Sequence, residues 1–199
     1  MVGSKSCCCE EQDACCNESG INAVSTRLTF KDALGAWKAR WGIGRMNYKV
    51  EPGLYAVGIP DKTSPVLVSA NYKLTFDRLR GELGKLNCWL LILDTNGVNV
   101  WCAAGKGTFG TDELVHRIEK TGLAEVVSHR KLILPQLGAP GVSAHEVLKQ
   151  SGFSVMYGPV QARDIEAFLA DGKATDAMRT VEFTVWNRLA LTPVEIFAV

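Results

Sequence analysis

The sequence predicts an α/β fold of the Rossmann-like type, in which a parallel sheet carries helices on both faces. From Pro65 onward, short apolar segments alternate with helical segments, which favours right-handed βαβ units. Residues 88–94 form a continuous apolar run, typical of a strand covered on both faces. The step from Trp89 to Lys131 is about twice as long as the other strand-to-strand steps. This excess predicts an additional segment that folds over the edge of the sheet.

Local signals predict the elements in order. A short helix over 31–40 is ended by glycines at 42 and 44, and residues 53–58 form a strand or an extended arm. Thr75 and Thr111 are predicted N-caps, and the Ser143 to Glu146 spacing is that of a capping box. Strands are predicted at 66–70, 89–94, 131–134, 153–157 and 181–186, and the remaining helices at 76–86, 112–120, from 144 and at 162–169.

Composition limits the function classes that the chain can belong to. With 199 residues, 47% hydrophobic and 22% charged, it can bury one sizeable core. We expect a flexible cysteine-rich tail over 1–25, an N-terminal extension over 26–62 and the α/β domain over 63–199. The net charge of +1, with both signs interspersed, excludes the electrostatic footprint of a nucleic-acid-binding protein. No signal-peptide h-region or membrane-length apolar run is present, so the chain as given is expected to be soluble.

Seven cysteines are distributed unevenly, five in the tail and two in the globular part. This pattern does not match a secreted disulfide framework and indicates a reducing cytoplasm. The tail lacks the Cys-x2-Cys spacing of zinc or iron-sulfur sites, but adjacent thiolates can bind a soft ion such as Hg(II). A disordered tail that binds no metal is the alternative. The tail cysteines are Cys7, Cys8, Cys9, Cys15 and Cys16.

Residues 99–106, Asn-Val-Trp-Cys-Ala-Ala-Gly-Lys, place Cys102 among small residues just past the buried strand. Ligands of open parallel sheets bind beyond the carboxyl ends of the strands, so Cys102 is expected near a crevice. Helix propensity favours a short helical turn over 100–104 with Asn99 as its cap. Lys106 nearby favours the thiolate, the form that ligates metals. From these residues alone, an inert packing cysteine and a solvated lysine remain open. A Walker A motif is excluded, because position 100 is valine and position 107 is glycine.

The segment 93–113 resembles the cap-helix region of the corrinoid protein of microbial mercury methylation, and the likeness extends from about 41 to 199. Residues 65–75, 132–141 and 157–160 agree with it. That family is related to the large subunit of the corrinoid iron-sulfur protein of acetyl-CoA synthesis. The resemblance implies a corrinoid-binding domain over 63–199, with a cap helix whose Cys102 is the lower axial ligand of cobalt. The usual cobalamin motif, Asp-x-His-x-x-Gly, is absent, so any corrinoid must be held without its histidine.

The resemblance further implies that loops at the strand ends hold the corrin ring and its nucleotide tail. Judged from the residues alone, the glycines could equally be turn residues, and Trp101 could fill the core. Besides Cys102, the implied cofactor-binding residues are Asn71, Thr75, Asn99, Val100, Trp101, Ala103, Ala104, Gly105, Lys106, Gln136, Leu137, Gly138, Ala139, Val160 and Ala162.

The activity implied by the resemblance is a methyl carrier of an anaerobe. Cobalt holds the methyl group above and the Cys102 sulfur below, and electron donation from the thiolate favours transfer of a carbanion equivalent to Hg(II), which gives methylmercury. Related carriers in acetyl-CoA synthesis lack this thiolate. The implied partners are a ferredoxin-like reductant with two 4Fe-4S clusters, a methyl-donor enzyme, and the cytoplasmic side of the cell membrane, reached through a membrane domain beyond residue 199.

Two alternatives to mercury methylation remain open. A corrinoid methyl carrier of one-carbon or acetyl-CoA metabolism would keep the cofactor and change the methyl acceptor. A non-catalytic protein that binds soft metals through its thiols would need no corrinoid.

Overall fold

One mixed sheet carries the strands of the computed structural model, which describes residues 14–16 and 21–181. The strands are β1 (Ala14–Cys16), β2 (Asn22–Val24), β3 (Gly53–Val57), β4 (Val66–Ala70), β5 (Cys88–Leu93), β6 (Lys131–Leu134) and β7 (Ser154–Tyr157). Their spatial order is β1-β2-β3-β5-β4-β6-β7. Strands β5, β4, β6 and β7 are parallel, whereas β3 runs antiparallel to β5. The predicted α/β sheet is therefore confirmed.

Helices cover both faces of this sheet, as the sequence predicts. The α-helices are α1 (Phe30–Arg40), α2 (Lys73–Glu82), α3 (Val100–Lys106), α4 (Thr111–Lys120), α5 (Leu123–Val126), α6 (Ala144–Ser151), α7 (Ile165–Asp171) and α8 (Asp176–Arg179). Residues of β4, β5 and β6 alternate between two buried clusters. One cluster contains Leu114 of α4 and Val147 of α6. The other contains Phe76 of α2 and Phe168 of α7.

Two of the predicted N-caps are wrong, because tertiary contacts set where those helices begin. Helix α2 starts at Lys73, whose ammonium lies 2.9 Å from the Asp32 carboxylate, and Thr75 lies inside the helix. The cap of α4 is Gly110, which makes no side-chain capping bond. Instead, the Thr111 hydroxyl accepts a hydrogen bond from the backbone N–H of Ser143 at 2.9 Å.

Other boundaries agree closely with the predictions. Strands β4 and β6 have the predicted limits, and Ser143 caps α6 by accepting from the backbone N–H of Glu146. The predicted helix over 162–169 is a 3-10 turn, Ala162–Asp164, followed by α7. The predicted strand over 181–186 lies outside the described residues apart from Val181.

The sheet also extends into residues that precede the predicted α/β domain. Strand β3 and helix α1 lie in the predicted extension, and β1 and β2 lie in the segment predicted as a tail. The domain boundaries remain predictions. Within the described ranges, each helix is too short or too polar to span a lipid bilayer.

Candidate functional site

A cavity of about 410 Å³ opens between the carboxyl-terminal ends of β4 and β6. The chain runs from β4 through α2 to β5, and then crosses back over β4 to form β6 on its other side. The two crossovers therefore leave the sheet in opposite directions at this point, which is where doubly wound sheets bind ligands. The floor of the cavity is apolar. It is lined by Leu67, Val68, Leu74, Leu79, Ile133, Leu134, Leu137, Val160 and Ile165, among others.

Two arginines that the sequence analysis did not identify also line the cavity. Arg40 is the last residue of α1, and Arg78 lies on α2. The other residues that line the cavity are uncharged, so these two guanidinium groups give it a positive charge that can bind an anionic group. Arg40 is far in sequence from the strands of the cavity, so only the packing of α1 brings it there. No local sequence signal indicates this position.

Helix α3 borders the cavity and has a buried and an open face. Val100, Ala103 and Ala104 are buried, whereas the Cys102 side chain is exposed. The predicted cap is confirmed, because the Asn99 side chain accepts a hydrogen bond from the Cys102 backbone N–H at 3.0 Å. The open face therefore presents a single thiol to solvent beside the cavity.

Close to this thiol, Gly105 leaves part of the open face without a side chain. A Cβ added at Gly105 would meet no atom within 4 Å, so the helix surface is bare one turn after Cys102. Trp101 lines the cavity and is also 52% exposed, so it lies at the rim between the cavity and the open face. A flat ligand could therefore approach the thiol closely while an appended group enters the cavity.

Close packing holds α3 in place from behind. Gly107, with φ of 79°, ends the helix, and the chain turns back so that the backbone N–H groups of Thr108 and Phe109 donate to the Ala103 carbonyl. A Cβ at Gly138 would lie 2.5 Å from the Phe109 ring, and one at Gly141 would overlap the Phe109 carbonyl oxygen. Because these two glycines have no Cβ, the 138–141 turn can approach the end of α3. Their φ angles are not in the left-handed region, so the close approach is what favours glycine at both positions.

Asn71 fixes the loop that leads into α3. Its side-chain oxygen accepts hydrogen bonds from the backbone N–H of Thr95 at 3.1 Å and of Gly97 at 3.0 Å, and from the Thr95 hydroxyl at 2.9 Å. Its amide nitrogen donates to the Asp94 carboxylate at 3.0 Å. Asn71 is buried, with 1% of its surface exposed. In the described structure its side chain is thus engaged by the protein and positions the loop.

The predicted cofactor-binding residues fall into three groups. Seven line the cavity, and these are Thr75, Asn99, Val100, Trp101, Leu137, Val160 and Ala162. Cys102, Gly105 and Lys106 are exposed on α3. The remaining six do not line the cavity, and these are Asn71, Ala103, Ala104, Gln136, Gly138 and Ala139. Their roles toward a cofactor remain predictions.

Gln136 has an unusual position among these residues. Its side-chain oxygen is buried and has no hydrogen-bond partner in the described structure. Its neighbours in sequence, Pro135 and Leu137, both line the cavity. A buried acceptor without a donor costs free energy, which a ligand N–H group would recover.

The other cysteines differ sharply from Cys102. Cys88 is buried in β5, and burial raises the pKa of its thiol to about 12. It is therefore a neutral packing residue at ordinary pH. Cys7, Cys8 and Cys9 lie outside the described residues, as do the side chains of Cys15 and Cys16. Among the described residues, no group of three or more His, Cys, Asp and Glu side chains could hold a metal ion.

Comparison with known proteins identifies relatives of this domain. A family model described as CO dehydrogenase/acetyl-CoA synthase delta subunit matches residues 43–169. The acetyl-CoA decarbonylase/synthase complex subunit gamma of Methanocaldococcus jannaschii is 38% identical over 122 residues, which cover 60% of this chain and 25% of the relative. The subunit gamma of Methanopyrus kandleri is 37% identical over 123 residues, or 61% of this chain and 26% of the relative.

A further relative extends this comparison. The corrinoid/iron-sulfur protein large subunit of Moorella thermoacetica is 32% identical over 122 residues, covering 60% of this chain and 27% of the relative. The chain thus spans about a quarter of the length of the curated relatives it matches.

Proposed function

This chain belongs to the CO dehydrogenase/acetyl-CoA synthase delta subunit family, and we propose that it binds a corrinoid and carries a methyl group on the cobalt ion. One observation carries the proposal. The cavity where the two crossovers leave the sheet in opposite directions lies beside α3, whose open face presents the Cys102 thiol. The relative from Moorella thermoacetica is named a corrinoid/iron-sulfur protein large subunit, which supports the choice of cofactor.

The cavity fits the nucleotide tail of a corrinoid better than the corrin ring. Its volume of about 410 Å³ is in the lower part of the usual range for small-molecule pockets, roughly 300–1,000 Å³. An apolar floor suits an aromatic base, and the guanidinium groups of Arg40 and Arg78 suit a phosphodiester. The unpartnered oxygen of Gln136 suits one of the amide groups that surround a corrin ring. We place the ring outside the cavity, against the open face of α3.

On that face, Cys102 is the residue that would bind the cobalt ion of a corrinoid. A bound corrinoid supplies a cobalt ion that can hold and release a methyl group. The soft, electron-rich sulfur of Cys102 would ligate this ion, and the Asn99 cap holds the backbone that carries it. Gly105 leaves room for the ring, because no side chain projects there. Ala103 and Ala104 are turned inward and anchor the helix in the core.

For the methyl acceptor we propose Hg(II), with methylmercury as the product. The support is the resemblance of residues 93–113 to the mercury-methylation family, together with the exposed Cys102 thiol. The names of the relatives support the alternative more directly, a methyl carrier in one-carbon metabolism that serves acetyl-CoA synthesis. The ferredoxin-like reductant, the methyl-donor enzyme and the membrane domain implied by the same resemblance belong to this proposal.

Cofactor binding is tested on the 199-residue chain after reconstitution with a corrinoid under anaerobic conditions. We expect about one cobalt per chain and a sulfur neighbour in the cobalt X-ray absorption spectrum. Cys102→Thr should keep the cobalt and lose the sulfur signal. Cys88→Ala is the matched control, because it removes a buried thiol and should leave the signal intact. A nitrogen-only lower ligand in the wild type would contradict the assignment of Cys102, and absence of bound cobalt would contradict the corrinoid itself.

Acceptor choice is tested by single-turnover transfer from the methylated, corrinoid-loaded chain. Hg(II) is supplied in one reaction, and an acetyl-CoA synthase in the other. Rapid formation of methylmercury with no transfer to the synthase supports the Hg(II) proposal. The reverse result would establish the alternative in one-carbon metabolism.

A further inference from the structure

Helix α1 packs on the domain through its polar and small residues. Asp32 and Ala39 are its buried residues, with 5% and 1% of their surfaces exposed. Gly35 faces the ring of Tyr48 so closely that an added Cβ would lie 2.5 Å from the tyrosine oxygen. The face that contacts the protein is thus formed by a carboxylate and small residues.

Buried ion pairs fix the rotation of α1 about its axis. Asp32 lies 2.9 Å from the Lys73 ammonium and 2.8 Å from the Arg80 guanidinium. Burial acts to raise the pKa of Asp32, but hydrogen bonds from Lys73 and Thr29 outweigh it and hold the pKa well below its ordinary value. The carboxylate therefore stays charged, and turning the helix would separate it from both cations. The opposite face of α1 must point away from the core.

That opposite face is apolar, contrary to the usual pattern of a surface helix. We call Phe30, Leu34, Trp37 and Trp41 the apolar stripe, since they recur at intervals of four, three and four residues. Phe30 is 82% exposed, Leu34 42% and Trp37 54%. The rings of Trp37 and Trp41 lie 5.7 Å apart. The stripe is an exposed apolar surface with three aromatic rings, of the kind that marks an interaction site.

Positive charge is concentrated in the sequence segment that carries this stripe. Residues 27–49 contain six of the 22 Lys and Arg residues of the chain and only one of its 21 Asp and Glu residues, the buried Asp32. The whole chain has a net charge of only +1, so the rest of the chain is net acidic. Lys38 is exposed on a flank of the stripe, where a long aliphatic stem can bring an ammonium to a charged surface.

We propose that α1 docks on an anionic lipid surface, with the apolar stripe in the boundary between headgroups and acyl chains. Aromatic and leucine side chains on one face with lysine and arginine beside it are the features of helices that lie in the membrane interface. Trp rings favour the headgroup level, and basic residues are attracted to anionic lipids. A second copy of the chain is a poorer occupant, because two such surfaces would bring like charges together.

The proposal sets the orientation of the candidate site. Arg40 ends α1 and also lines the cavity, so the cavity would open close to the lipid surface. The inference does not rest on the proposed function, because vesicle binding is measured without a corrinoid and without any activity.

Vesicle flotation of the 199-residue chain tests the proposal. We expect binding to vesicles with about one-third phosphatidylglycerol, weaker binding at high salt and little binding to pure phosphatidylcholine. The double variant Phe30→Gln/Trp37→Gln should reduce the bound fraction by about tenfold, and Lys38→Gln by a smaller factor. The matched control is Ile59→Gln, which removes an apolar residue that is 89% exposed outside α1. Circular dichroism should show all variants folded, because the substituted side chains are exposed.

Three results would overturn the proposal. The first is that the wild type does not float with anionic vesicles. The second is that the Phe30/Trp37 and Ile59 variants bind equally. The third is that the wild type is a dimer which the Phe30/Trp37 variant converts to a monomer, since the stripe would then be covered by a second copy of this chain.

Discussion

Removing the side chain of Asn71 is expected to loosen the loop that leads into α3. In Asn71→Ala, the backbone N–H groups of Thr95 and Gly97 lose their acceptor, and Asp94 loses a donor. Thr95 is fully buried, so water cannot replace the lost bond there. Gly97 is partly exposed and can bind water. One buried, unsatisfied N–H costs about 1–3 kcal/mol, and with the lost bonds at the partly exposed groups we expect a total of about 3 kcal/mol.

The assay is urea unfolding of wild type and variant, followed by circular dichroism. The midpoint should fall while the slope with urea stays the same, which reports lost stability rather than a changed unfolded state. Asn99→Ala is the matched control, because it removes a single capping bond at the start of α3 and should cost about 1 kcal/mol. A loss below about 1 kcal/mol in Asn71→Ala would refute the reasoning, since the loop would then hold without the buried amide.

The other predictions concern the thiol, the support of α3 and the ion pairs of α1. Cys102→Thr should still bind corrinoid. In single-turnover kinetics it should transfer methyl groups to Hg(II) more slowly by orders of magnitude, because a neutral hydroxyl cannot replace the donor sulfur. A wild-type rate would show that Cys102 is only a packing residue. Gly141→Ala should lower the free energy of unfolding by about 1–3 kcal/mol in urea, because the added Cβ would overlap the Phe109 carbonyl. The control Gly105→Ala should not lower it, since its Cβ would lie in open space. The pKa of Asp32 is lowered in the folded state, so its contribution to stability is complete above the ordinary value of 3.8 and is lost as the pH falls below it. Asp32→Asn should therefore show a shallower loss of stability than the wild type as the pH falls below 3.8, and parallel curves in that range would contradict this account.

Features with a local cause could be predicted from the sequence. The limits of β4 and β6 follow from short, mainly apolar runs with a proline at one end and a polar residue at the other. The Asn99 cap follows from a side chain that bonds three residues ahead. The position of Cys102 beside a crevice follows from its place after a buried strand.

Features that depend on distant partners could not be predicted. Thr75 has a side chain that can cap a helix. Helix α2 instead begins at Lys73, whose ammonium pairs with Asp32, 41 residues earlier in the chain. Likewise, Thr111 caps no helix and binds Ser143, 32 residues later. Arg40 reaches the cavity only through the packing of α1. A capping signal in the sequence shows which hydrogen bonds a side chain can make. The tertiary structure determines which of those hydrogen bonds forms.

Gly138 and Gly141, which make room for Phe109, come after β6 in the chain, whereas Phe109 comes before it. This arrangement affects the order in which the parts of the domain assemble. The turn at 138–141 packs on the phenylalanine, so we expect α3 to reach its final position only after β6 has paired with β4 and this turn has closed. During synthesis, the segment with Cys102 leaves the ribosome before the residues that will support it. Contacts of this long sequence separation form late in folding. We therefore expect the cofactor to be loaded onto a nearly complete domain, and a chain that stops before residue 138 should expose the thiol without the surface needed to retain a corrinoid.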